Sequence, residues 1–243
     1  MVKRERADRL LVARGLFASR AQAQAAIAAG RVTADGSLVG KASDEISAAA
    51  IVAAQPAHPY VSRGGVKLAA ALDSFAIDIA GRICLDVGAS TGGFTGVLLA
   101  RGARQVYAVD VGRAQLHARL RAHRQVTSIE QTDIRNLDAS RFPEPPDFAA
   151  IDVSFISLKL ILPHVSGLLK PSATLLALIK PQFEAGRRQL KKGIVRDPAV
   201  HAAICNDIAS LAADLGWHIG GRMASPILGG DGNREFFIEA ERG

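Results

Sequence analysis

Apolar residues recur at helical spacing near the start of the chain: Leu10, Leu11, Leu16 and Phe17, then Ala23, Ala26 and Ile27. Gly15 interrupts the first helix near its end, Ser19 suits the N-cap of the second, and Gly30 closes it. The period then changes to two. Val32 to Val39 reads as two short strands around Asp35-Gly36, a dipeptide that suits a tight hairpin. A further strand pattern, Glu45-Ile46-Ser47 through Ile51-Val52, completes a unit of residues 1–55. Residues 56–60 follow with two prolines and no periodicity, and read as a linker. Over residues 61–243, apolar strand runs alternate with helical stretches, at 82–87, 105–110, 126–131, 148–153, 173–180, 217–224 and 234–240. That rhythm predicts an α/β, doubly wound, Rossmann-like sheet whose last two strands form an antiparallel edge pair, preceded by a small α+β domain.

Composition narrows the class. The 243 residues are 49% hydrophobic and 22% charged, enough for a sizeable core, and the formal charge is +7. The pI of about 9.8 favours polyanionic partners. The charge is uneven: residues 1–67 hold ten Lys and Arg against five Asp and Glu. A surface for a polyanion is therefore expected first at the N-terminus. Two cysteines, Cys84 and Cys205, cannot build a metal cluster alone, and no metal is expected. The charged start of the chain does not read as a signal peptide, and no apolar run is long enough to span a bilayer, so a cytoplasmic protein is expected.

The segment Ile83 to Phe94 carries candidate chemistry. Gly88, Gly92 and Gly93 follow an apolar strand and precede a good helix, which lets a ligand approach the backbone at the strand's C-terminal edge. Such a loop is common to many nucleotide sites. Asp86 discriminates among them, because a carboxylate sits poorly beside a pyrophosphate but suits a ligand bearing an ammonium and a sulfonium. Asp110 ends the next strand, where an acid can accept from ribose hydroxyls, and Asp133 after the third strand can meet an adenine amine. The plainer alternatives are that Asp86 caps the helix and Asp110 merely terminates a strand. Cys84 to Gly88 with Asp110 and Asp133 resembles the S-adenosylmethionine methyltransferases. The cofactor set so implied is Asp86, Gly88, Ser90, Thr91, Gly92, Gly93, Phe94, Asp110 and Asp133.

Two further charges sit at strand ends on the same edge: Asp152 after Phe148-Ala149-Ala150-Ile151, and Lys180 after Thr174 to Ile179. The Asn/Asp-Pro-Pro-Tyr loop of amino-methylating enzymes is absent, since Val153-Ser154-Phe155 follows Asp152. A ribose hydroxyl is a poor nucleophile near neutral pH, so its proton must leave or its developing alkoxide must be stabilised. Lys180 suits either role, as a base if desolvation or a second lysine lowers its pKa, or as a cation if carboxylates raise it.

Together with Lys67 and Glu235, these residues resemble the Lys-Asp-Lys-Glu tetrad of FtsJ-like ribose 2′-O-methyltransferases. The N-terminal unit resembles the S4 RNA-binding domain through Arg6, Asp8, Leu10, Gly15-Leu16, Ser19-Arg20, Ala23, Ile27, Gly30-Arg31-Val32, Asp35-Gly36, Val39 and Lys41. That resemblance implies phosphate contacts from Arg6, Arg9, Arg20, Arg31 and Lys41, joined by Arg63 in the next segment. End to end, the chain resembles the TlyA family, whose members also carry the name haemolysin. The blocks are Tyr60 to Leu68, Asp86 to Thr95, Ile151 to Leu158, Lys180 to Glu184 and Gly193 to Pro198. The family implies methylation of cytidine in ribosomal RNA, with ribosomal subunits as partners and no membrane. Some members carry Arg-x-Trp ahead of Val-Ser-Arg-Gly, implicated in cofactor binding; here the stretch is His58-Pro59-Tyr60. Arg187, Arg188, Lys191 and Lys192 flank the Gly193 block as candidate phosphate contacts, and His201 reads as a helix-surface residue. The competing classes are a membrane-active haemolysin and a catalytically silent ribosome assembly factor.

Overall fold

A hairpin, a helix pair and a short second ribbon form the first part of the chain: β1 (Arg4–Arg6), α1 (Ala7–Ala13), α2 (Arg20–Ala28), β2 (Val32–Ala34), β3 (Ser37–Leu38), β4 (Glu45–Ser47) and β5 (Val52–Ala54). The computed structural model describes residues 3–17, 19–230 and 232–243, and of Arg187 the backbone alone. Small residues let α1 and α2 pack closely, with Ala7, Leu11, Ala23, Ala26 and Ile27 in one buried cluster with Val32 and Val39. The Ser19 hydroxyl caps α2, accepting from the Gln22 amide at 3.3 Å. The sheets are β1–β4 and β3–β2–β5, with Asp35-Gly36 at the β2–β3 turn as expected. The division into two units falls between Pro59 and Tyr60.

The second unit contains α3 (Arg63–Ser74), β6 (Ile83–Val87), α4 (Gly93–Ala100), β7 (Gln105–Val109), α5 (Ala118–Arg121), β8 (Val126–Ile129), β9 (Phe148–Ile151), α6 (Leu162–Leu168), β10 (Ala173–Ile179), α7 (Pro181–Glu184), α8 (Pro198–Asp214), β11 (His218–Ala224) and β12 (Phe236–Arg242). The sheet order is β11-β12-β10-β9-β6-β7-β8. Strands β10, β9, β6, β7 and β8 are parallel, and β12 is antiparallel to both of its neighbours. This is the doubly wound α/β architecture expected, with one refinement at the end of the chain. Of the last two strands, β11 alone lies at the sheet edge; β12 lies between β11 and β10. Burial explains the placement. Residues 237–240 of β12 are all buried, whereas β11 alternates between exposed and half-buried positions.

Two apolar clusters cover opposite faces of the sheet: one holds Leu85, Ile151, Leu175 and Ile238 with α6 and α8, the other Cys84, Phe148, Leu176 and Phe237 with α3 and α4. Alternate residues of each strand thus face opposite layers. The chain runs outward from β6 to β8 and then returns to β9 on the other side of β6. The strand order therefore reverses between β6 and β9, where open α/β sheets form a ligand crevice at their carboxyl ends.

Candidate active site

Asp152 directly follows β9, and its amide donates to the Val87 carbonyl at 2.9 Å, fixing it beside the end of β6. Lys180 directly follows β10, and Glu235 directly precedes β12. Because Ile179 faces Phe236 in the antiparallel register, the next step of the ladder sets Lys180 opposite Glu235. Lys67, on the buried side of α3, reaches the same carboxylate, with its Nζ 2.5 Å from Glu235 Oε2. The four residues therefore form two ion pairs. In the second, Lys180 Nζ lies 2.6 Å from Asp152 Oδ1. The aligned hydrogen bond from Lys180 goes instead to Ser154 Oγ, at 2.8 Å. Asp152 Oδ1 is consequently buried with no aligned donor.

The end of β6 presents the second cluster. Asp86 is fully buried; its Oδ2 accepts from the Thr95 hydroxyl at 2.6 Å, and its Oδ1 has no hydrogen-bond partner. Burial, reinforced by Asp152 and Asp110 and opposed by the Thr95 hydrogen bond, pushes its carboxyl up to about 7. Gly88 (φ +84) lets this loop touch the end of β9, since a Cβ there would lie 2.4 Å from the Asp152 carbonyl oxygen. Asp110 turns its carboxylate onto two loop amides, those of Ser90 and Gly112, both at 2.7 Å. Asp133 caps a short 3-10 turn and binds Arg135 through both oxygens; the Arg135 hydrogen bonds hold its carboxyl below the usual range. Adenine contact by Asp133 would require that pair to open. Ser90 and Thr91 are exposed at the loop, while Gly92, Gly93 and Phe94 are buried beneath it.

Several residues near the site were missed in the sequence. Phe155 is 91% exposed and holds φ +65, an uncommon conformation for a bulky residue, with its ring centroid 5.1 Å from that of Phe183. Glu184 braces this turn: Oε2 accepts from the Ser157 hydroxyl at 2.5 Å and Oε1 from the Leu158 amide at 2.7 Å. One carboxylate thus links the segment after Asp152 to the segment after Lys180. Glu130 accepts from three successive amides, Ala114, Gln115 and Leu116, and shapes the loop after Asp110. The only sequence signal was that Phe155, Phe183 and Glu184 fall within the blocks already noted around Asp152 and Lys180, and nothing there indicated exposure. His201 corrects an expectation. It is 6% exposed, not on the helix surface, because its Nε2 bonds the Val195 carbonyl at 3.0 Å and its ring packs on Phe236.

The FtsJ-like methyltransferase family matches residues 60–242, and the S4 domain matches residues 5–52. The chain belongs to the FtsJ-like methyltransferase family. The TlyA protein of Mycobacterium tuberculosis, named a 16S/23S rRNA (cytidine-2′-O)-methyltransferase, is similar to this FtsJ-like methyltransferase at 44% identity over 241 residues, covering 98% of this chain and 90% of its own. Hemolysin A of Brachyspira hyodysenteriae is 40% identical over 233 residues, covering 95% of this chain and 97% of its own. A solved structure from Streptococcus thermophilus, also bearing the name hemolysin, superposes with a TM-score of 0.78 at 43% identity, covering all of this chain and 90% of that one.

The basic residues of this FtsJ-like methyltransferase divide into engaged and open groups. In its S4 domain, Arg6 and Arg20 grip the buried Asp8, at 3.1 and 2.7 Å, and Gln24 adds a third donor at 2.8 Å. The Arg6 hydrogen bond, then those of Arg20 and Gln24, outweigh burial and hold the Asp8 carboxyl well below the usual range. Those two arginines fix the helix pair, which the sequence did not anticipate. Arg9, Arg31 and Lys41 are exposed. Arg63 is exposed but donates to the Leu228 carbonyl at 2.5 Å. Arg188, Lys191 and Lys192 are exposed on the loop before Gly193, whereas the Arg187 side chain lies outside the described residues.

Proposed function

We propose that this chain transfers a methyl group from S-adenosylmethionine to the ribose 2′-hydroxyl of cytidine in ribosomal RNA. The observation that carries the reading is the assembly of Asp152, Lys180, Glu235 and Lys67 as two ion pairs at one sheet edge, next to a loop built around Asp86. The residues present fit the cofactor. Asp86 Oδ1 is a buried carboxylate oxygen with no partner, and such a group is costly unless a cation or donor compensates it. Asp86 would meet the positive end of the cofactor, Asp110 its ribose, and Gly88 and Gly92 would allow close backbone approach. When bound, the cofactor supplies an electrophilic methyl group on a sulfonium.

Asp152 Oδ1, buried and without an aligned donor, offers an acceptor for a substrate hydroxyl. The Lys180 ammonium beside it stabilises negative charge developing on that oxygen. The hydroxyl proton passes to the Asp152 carboxylate, beside which the Lys180 ammonium stays as a fixed positive charge. The Lys67–Glu235 pair holds the neighbouring step of the ladder, where each buried charge offsets the other. The exposed Phe155 ring, beside half-buried Phe183, gives an aromatic surface on which an unstacked base can lie, in keeping with enzymes that turn a nucleotide out of its stack. Arg9, Arg31 and Lys41 would hold phosphates of structured RNA. An enzyme with ribosomal subunits as its substrate would act in the cytoplasm.

Transfer of tritiated methyl to purified bacterial ribosomal subunits, followed by mapping of modified riboses, tests the reading. Lys180→Ala is expected to lower kcat by about a hundredfold or more, in the range of losing a general base or charge stabiliser. Undiminished transfer by that variant would remove Lys180 from the chemistry, and methyl found on a base would overturn the ribose assignment.

A further inference from the structure

Asn233 takes no part in the reaction described above, yet it is fully buried and both ends of its amide are used. Oδ1 accepts from the Val195 amide at 3.1 Å, and Nδ2 donates to the Gly193 carbonyl at 3.0 Å. One side chain thereby supplies the acceptor and the donor that a neighbouring strand would offer to residues two apart. Val195 is itself buried, and its carbonyl receives His201 Nε2 at 3.0 Å. His201 in turn packs on Phe236, ring centroids 5.3 Å apart. The segment 193–195 is thus fastened to the root of β12 on both sides of Glu235, at Asn233 and at Phe236. The same root is closely fitted elsewhere. The Asn233 carbonyl accepts from the Gly229 amide at 2.9 Å, and a Cβ on Gly229 would fall 2.4 Å from Glu235 Oε1.

Immediately around the fastened segment lie the exposed cations Arg188, Lys191, Lys192 and Arg196. We propose that Asn233 is a positioning residue that docks this basic loop onto the root of β12, so that a phosphate-gripping loop and the Glu235 carboxylate are set as one unit. The inference rests on the reading that the substrate is RNA, and it adds a physical coupling between holding that RNA and aligning the site. It also explains the residue type. An aspartate of the same shape would still accept from Val195, but it would turn a second acceptor on the Gly193 carbonyl and leave that carbonyl without a donor.

Asn233→Asp tests this without opening a cavity, compared with the parent and with Lys191→Ala/Lys192→Ala. Each is assayed for methyl transfer to intact ribosomal subunits at saturating S-adenosylmethionine, for cofactor binding by calorimetry, and for amide hydrogen exchange. Asn233→Asp is expected to speed exchange at residues 193–195, to raise KM for the subunit by about tenfold or more and also to lower kcat, with cofactor affinity kept. The double lysine variant is expected to raise KM alone, with exchange unchanged. Parental exchange at 193–195 in Asn233→Asp would overturn the docking, and so would parental KM and kcat despite faster exchange. Should Asn233→Asp fail to fold, a parental KM in the lysine variant still overturns the proposal. A parent that methylates no ribosomal RNA would instead overturn the substrate reading, and exchange in Asn233→Asp, which needs no RNA, would still decide the docking.

Discussion

The surroundings of Asp86 do not balance the charged form of its carboxyl, and this has a pH signature. Burial raises its pKa from an ordinary 3.8 to about 7, so the folded chain holds a proton there that the unfolded chain has already released. Both states are protonated below the lower value. As pH rises from there, the unfolded chain deprotonates first, and the stability contributed by the protonated form is lost by the time pH passes about 7. Asp86→Asn should therefore make the cofactor-free protein more stable than its parent at pH 8, measured by urea unfolding; an equal or lower midpoint contradicts the assignment. Cofactor affinity should behave oppositely. It should weaken as pH falls below about 7 in the parent, because a neutral carboxyl attracts no cation, and should be weaker but flat in Asp86→Asn.

The Lys67–Glu235 pair makes a separate prediction at this scale. Its side chains are 10% and 3% exposed, so removing one partner strands the other in a poorly solvated place. Lys67→Met should cost about 3–5 kcal/mol of folding free energy, and Lys67→Met/Glu235→Leu should recover much of it. Activity should return in neither. A double variant as unstable as the single would show that the pair's environment is not apolar enough for this argument.

Among the elements, the contacts between strand ends matter most. Gly88→Ala would drive a methyl into the Asp152 carbonyl, so β6 and β9 would have to part, moving both carboxylates. Activity should fall with a loss of cofactor binding seen by calorimetry; normal binding would mean that the loop can shift without cost. Glu184→Ala should leave the strands intact but free the Phe155 turn, raising KM for RNA, whereas Glu184→Gln should retain much of the function. Equal effects of the two would argue against the brace. Much of this layer was legible in the sequence, because a polar residue ending an apolar strand run has a definite place: Asp86, Asp110, Asp152 and Lys180 all lie at strand ends. Lys67 and Glu235 were legible only by resemblance. The pairing of Lys67 with Glu235 depends on the antiparallel entry of β12, and that of Lys180 with Asp152 on the parallel pairing of β9 with β10, neither of which a local pattern encodes. His201 was read as a helix-surface residue, and the buried roles of Asp8 and Asn233 went unread, because burial of a polar side chain depends on partners far along the chain, such as Val195 for Asn233.

For the whole molecule, ten of the 30 Lys and Arg residues lie in the first 67 positions, and the ions they displace from RNA should be countable. With Arg6 and Arg20 held by Asp8, the open cations of the N-terminal unit are Arg9, Arg31 and Lys41. Replacing those three by alanine should flatten the slope of log affinity against log salt for ribosomal RNA by about two to three. An unchanged slope would place the phosphate contacts elsewhere.

The central position of β12 sets an order of events as the protein is made. The loop around Asp86 and the strand ends at Asp152 and Lys180 leave the ribosome well before residue 235 is added. At roughly 5–20 residues per second, several seconds separate them. During that interval the nascent sheet ends at β10 with an unpaired edge, Lys67 has no carboxylate partner, and Asn233 has not yet joined the basic loop. A chain that has not yet added residue 235 can form the edge around Asp86 but not the Lys67–Glu235 pair, so the four-residue site proposed above is completed only when β12 is made.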